Sequence, residues 1–227
     1  MGVGKARSLQ YGSNPESVLS RPDLTDLAVI NESHPEAVES GVTANERLTA
    51  LNGALLLVLL ALMGITVLSV RRLLPQHLLL GFLLVPPLAL KMASTGYRFV
   101  RYYTGDPQYR RAGPPEILLR LLAPIVVVST VALFATGIEL WLFGLRFGSI
   151  WVEAHKFSFA IWLPATAVHV LGHLGRTGQA AAEEISASRS RSALTRRSLV
   201  VGSLVAGVVL AAASLTYATP FIFFRDG

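Results

Sequence analysis

Five long stretches of this chain are nearly free of charge, and each can cross a lipid bilayer as a helix. About 20 apolar residues at 1.5 Å rise span a hydrocarbon layer roughly 30 Å thick. The first stretch, 48–70, holds no charged residue and is closed by Arg71 and Arg72. The others are 77–97, 117–143, 152–174 and 198–217. Five such segments in a chain of 227 residues cannot all be covered by other protein. The pattern therefore predicts an all-α polytopic membrane helix bundle of about five transmembrane helices. Composition agrees. Charged residues make up 15% of the chain, against about 25% in soluble domains.

Charge placement predicts the orientation. With five spans, the N-terminus shares a side with the second–third and fourth–fifth connections. Near the membrane on that side stand Arg47, Arg98, Arg101, Arg110, Arg111, Arg120, Arg176, Arg189, Arg191, Arg196 and Arg197. The other side has only Arg71, Arg72, Arg146, Lys156 and Arg225. Basic residues concentrate on the cytoplasmic side. The N-terminus is expected in the cytoplasm and the C-terminus outside, in a cell inner (plasma) membrane. Tyr97, Tyr102, Tyr103, Tyr109, Trp141 and Trp151 lie near span ends, where aromatic rings favour the headgroup level.

Residues 1–46 hold seven acidic residues against Lys5, Arg7 and Arg21. They lack the apolar core of a signal peptide and are expected to be a disordered acidic tail. Met1-Gly2 begins like a myristoylation site, but Ala6 stands where Ser or Thr is required. The expected division is a tail (1–46), a four-helix membrane core (47–175), a basic cytoplasmic connection (176–197) and a fifth helix with a short C-terminus (198–227). No basic patch interleaved with aromatics marks a nucleic-acid surface. There is no G-x-G-x-x-G on a strand–helix unit, no P-loop and no H-E-x-x-H.

The chain has no cysteine, which excludes disulfides, cysteine-ligated iron–sulfur clusters and covalent c-type haem. Histidine is left as the main candidate metal ligand. His34 sits in the tail. The ionisable residues within spans are His77, Lys91, Glu139, His155, His169 and His173, while Arg120, Glu153 and Lys156 sit at span ends. Such residues are costly in lipid and usually functional.

His155 and His169 are 14 residues apart. On a helix that leaves them about 40° apart in direction and about 21 Å apart in height. One face thus carries a histidine near each surface, as two stacked haems would need. His173 lies one turn further on. A shift of 78 residues aligns His77 with His155, Pro86 with Pro164, Ala89 with Ala167 and Arg98 with Arg176. It also sets Lys91 opposite His169. The match suggests a duplicated helix hairpin. Second and fourth spans are then parallel, with His77 and His155 at one depth, and two neutral imidazoles can ligate one iron from opposite faces. Gly81, one turn below His77, would leave room for the macrocycle. Gly137 and Gly144 are candidates for the same role or for close helix packing. Three outcomes stay open for the inner level: no haem, a haem on His169 with His173 or Lys91, or a quinone pocket. Glu139 is expected to reach water near the interface and Lys91 to snorkel toward the headgroups.

Over roughly residues 50–175 the chain resembles the bacterial membrane b-type cytochromes that serve as haem subunits of hydrogenases and formate dehydrogenases. The likeness rests on the four-span core, on His77 opening one helix, and on "HKFSFAIWLPATAVHVLGH" (155–173) forming another. The segment "LKMASTGYRFVRYYTGDPQYRRAGPP" (90–115) adds to it. The resemblance implies a four-helix core with non-covalent haem b, passing electrons between a quinone and a redox partner subunit. It carries ligand roles to His77, His155 and His169, and Lys91 departs from the two-haem pattern. A small transporter or channel with a histidine-lined path is the alternative from another class. A scaffolding protein is a third, and it leaves the intramembrane histidines unexplained.

Overall fold

A computed structural model describes residues 40–113, 117–186 and 190–216. The tail up to Glu39 and the end of the fifth span at Tyr217 lie outside the described residues. Regular structure among the described residues is entirely helical: α1 (Gly41–Leu68), α2 (Leu74–Tyr103), α3 (Pro107–Arg111), α4 (Ile117–Phe143), α5 (Ile150–Ser186) and α6 (Arg191–Leu215). All but α3 are long and apolar enough to cross a membrane.

Two helices outrun the apolar stretches that foretold them. The first begins at Gly41 rather than near residue 48, because Ser40 caps it, its hydroxyl accepting from the Thr43 N–H at 3.2 Å. The added polar turns are held by the second hairpin arm. Asn45 donates to Ser94 O at 3.1 Å, Tyr109 donates to Gly41 O at 3.1 Å, and Glu46 pairs with Arg98 at 2.7 Å. Tyr109 belongs to α3, which Asp106 caps by accepting from the Gln108 N–H at 2.9 Å. Arg101 lies over the Tyr97 and Tyr109 rings, 5.8 and 5.9 Å from their centroids, and also pairs with Asp106.

The fourth span continues as helix to Ser186, through most of what the sequence assigns to a basic connection. Its 37 residues reach about 55 Å, well beyond the hydrocarbon layer. The extension is clamped to the start of α6. Arg196 grips Glu184 with both arms of its guanidinium, Nε to Oε1 at 3.0 Å and Nη2 to Oε2 at 2.8 Å. Glu184 is fully buried, so the charge-assisted fork keeps this carboxylate satisfied away from water.

Packing order decides what faces what. α1 packs on α2 and on α5, and α5 packs on α4, while α2 and α4 touch only sparsely. α2 and α5 therefore lie across the bundle from each other. A cluster of Leu56, Leu59 and Leu84, joined by Met63, Leu88, Phe134 and Leu204, fills the centre.

Leu204 belongs to the fifth span, which the sequence sets apart as an accessory helix. It is instead an integral part of the bundle, and its contact with α2 is among the most extensive. The reason is local. Pro87 has no N–H, so the carbonyl of Leu83 loses its helical donor. Gly207 of α6 sits on that carbonyl, where a Cβ would come within 2.3 Å of the oxygen. Only glycine permits this approach, and its Cα–H can serve the orphaned oxygen.

Outward-facing large side chains such as Ile117, Leu121 and Val128 are more than 60% exposed. Apolar exposure on this scale suits a surface bathed in lipid.

Candidate functional site

The hairpin geometry brings His77 and His155 together. They stand on α2 and α5, the helices that face each other across the bundle. Their rings are close enough for a charge on one to act on the other. Each ring is anchored by a threonine from the preceding long helix. His77 Nδ1 lies 3.0 Å from Thr66 Oγ1, and His155 Nδ1 lies 3.0 Å from Thr136 Oγ1.

These partners decide the tautomers. His155 Nδ1 is also 3.1 Å from the carbonyl of Leu133, which can only accept. Nδ1 must then carry the proton. Thr66 spends its single hydroxyl proton on Met63 O at 2.7 Å, so it accepts from His77 Nδ1–H. Thr136 likewise donates to Ala132 O at 2.8 Å. Both imidazoles therefore keep an unprotonated Nε2, the atom a metal would take, while the other nitrogen is fixed by hydrogen bonding, as in most metal-ligating histidines. Gly137 makes room for the His155 ring, since a Cβ there would meet His155 Cε1 at 3.2 Å. Gly81 is not pressed in this way: a Cβ would meet only Met63 Cε at 3.9 Å. At this end Phe82 of α2 meets Trp141 of α4 edge to face, their centroids 4.8 Å apart.

The second level, 14 residues further along both helices, is built differently. Lys91 and His169 lie within electrostatic range of each other. Lys91 does not snorkel away from the bundle. Its ammonium turns inward, donates to Thr49 O at 2.8 Å, and fills the recess at Gly53, where a Cβ would be 3.1 Å from Nζ. Asn52, fully buried, donates to Pro87 O at 2.7 Å, leaving its Oδ1 without a partner. The His169 ring packs edge-on to that of His173, centroids 4.8 Å apart, and its Nδ1 is enclosed without a hydrogen bond. Because His169 and His173 share one helix, they cannot flank a single iron. Glu139, expected to reach water, has its Oε2 closed off and unpartnered instead.

Among the described residues, no three His, Asp or Glu side chains come together to hold a metal ion. A cage made only of protein ligands is thus not formed there. Haem asks less of the chain: the porphyrin fills four positions on the iron and needs one protein atom on each face. The His77–His155 pair fits that demand in atom type, tautomer and placement on opposed helices.

Sequence reasoning found both histidines and missed both threonines. Thr66 and Thr136 are separated by 70 residues and the histidines by 78. The longer connection between α4 and α5 breaks an ungapped alignment, which sets Thr66 opposite Gly144. Aligning each hairpin helix separately would have exposed the match. Fold and site together define a polytopic all-α membrane protein with a paired-histidine site inside its bundle. Comparison with protein-family models, curated proteins and solved structures gave no match.

Proposed function

We propose that the chain is a membrane b-type cytochrome that binds one haem between His77 and His155. It would carry electrons between a lipid-soluble quinone and a redox partner subunit. The supporting observation is the pair of imidazoles on opposed helices, each with Nδ1 bound to a threonine and Nε2 left to coordinate. Bound haem supplies reversible one-electron chemistry at iron. The chain's own residues do the rest. Thr66 and Thr136 hold the Nδ1 protons and fix the ring planes. Gly137 lets the α5 imidazole sit close to α4. The surrounding apolar side chains keep water out and the dielectric low.

Any catalysis belongs to a complex with a partner subunit, and the basic clusters favour an inner membrane orientation with the N-terminus cytoplasmic. The test is purification in detergent with reduced-minus-oxidised visible spectra and a haem count per chain. A b-type difference spectrum is expected in the intact protein and its disappearance in His77→Ala and His155→Ala. A colourless protein would rule the reading out.

A further inference from the structure

We infer that the Lys91–His169 level is closed to a second haem, so that electrons enter and leave only from the membrane face nearest His77 and His155. The inference rests on the haem reading above and adds a stoichiometry and a sidedness to it.

Both levels draw on the same two helices at the same 14-residue offset, which makes them directly comparable. Where His77 offers a free imidazole nitrogen, Lys91 offers an ammonium. A charged amine has no lone pair for iron. This one is bound to Thr49 O at 2.8 Å and packed into the Gly53 recess together with Thr177, whose methyl would lie 3.4 Å from a Cβ there. The side chain thus reaches from α2 toward both α1 and α5, across the space a flat macrocycle would occupy.

Around it α1 is sealed to α2 by a ladder of interhelical hydrogen bonds. Asn52 donates to Pro87 O at 2.7 Å, Thr49 to Ser94 Oγ at 3.0 Å and Asn45 to Ser94 O at 3.1 Å. At the other end the link between these helices is Thr66 to His77 itself. Nor is His169 prepared as a ligand. A coordinating imidazole is normally held through its second nitrogen, and the enclosed Nδ1 of His169 has no such bond.

The consequence is electrical. The Lys91 level is roughly 21 Å from the histidine pair along the helices, and no second carrier bridges that depth. Each turnover moves one electron from a donor to the iron and one from the iron to an acceptor, with no bond made or broken. Both partners must reach the same half of the membrane.

The experiment uses the purified full-length protein loaded with haem. The pyridine haemochrome count should be one per chain, unchanged in His169→Ala and in Lys91→Ala. A count of two, or loss of haem in His169→Ala, overturns the inference while leaving the outer site standing. A count of zero in the intact protein overturns the haem reading and the inference with it. Sidedness needs no variant. In liposomes holding the protein in one orientation, a membrane-impermeant one-electron reductant should reduce the haem fully from the His77–His155 side and leave it oxidised from the other. Equal reduction from the Lys91 side contradicts single-sided transfer.

Discussion

The two levels of the bundle use the same helices for opposite ends. At one, His77 and His155 face each other with Nδ1 bonded and Nε2 free. At the other, Lys91 and His169 face each other with the amine bonded and the imidazole left unanchored. The difference lies in the neighbours. A polar residue inside a membrane helix becomes a ligand when its surroundings fix its tautomer and leave one lone pair open. It becomes a strut when they consume its donors.

The comparison can be broken most sharply by alanine at the histidines. His77→Ala or His155→Ala should each abolish haem binding, read as the haem-to-protein ratio, whereas His169→Ala should leave the ratio unchanged. Equal effects at both levels would erase the distinction drawn between them.

Next in size is the shared scaffold. Leu83 lies on α2 between His77 and Lys91, and Gly207 rests on its carbonyl. Gly207→Val should lower stability in detergent by about 1–3 kcal/mol through overpacking, seen as a lower melting temperature. An unchanged melting curve would mean that α6 does not brace the two levels.

Smaller effects sharpen the ligand half. Thr66→Val and Thr136→Val keep the shape and remove the acceptor, so haem retention should weaken about 10- to 100-fold, the usual cost of losing a ligand's supporting hydrogen bond. Competitive transfer of haem to an apo-globin would measure this. His155 should suffer less, because Leu133 O remains as a second acceptor at 3.1 Å.

Smallest is Lys91→Met. It replaces a buried cation with an apolar side chain of similar length, and such exchanges are often neutral or stabilising. Chemical denaturation should show no loss beyond about 1 kcal/mol. A larger loss would give the Lys91–Thr49 bond a structural weight that the present account denies it.

Much of this was legible in the sequence, for physical reasons. Spans are readable because bilayer thickness sets both their length and their apolarity, and the depth of a histidine follows from counting residues along a helix. Packing partners are less readable. Nothing in the hydropathy of the fifth stretch says that Gly207 meets the carbonyl orphaned by Pro87, because that contact joins residues 120 positions apart. The extension of α5 past the membrane was missed for a different reason. Hydropathy falls at the headgroups, but "AAAEEI" (180–185) is made largely of good helix formers and the helix simply continues into water. The inward turn of Lys91 was misjudged because snorkelling is the default only where no acceptor lies nearer than water. Thr49 O is such an acceptor.

The central claim is that two imidazoles from α2 and α5 flank one iron. Electron paramagnetic resonance of the oxidised, haem-loaded protein tests it most directly. The expected result is a low-spin ferric signal of bis-imidazole type, absent from His77→Ala and His155→Ala. A high-spin signal in the intact protein, or a low-spin signal that survives either substitution, would contradict it.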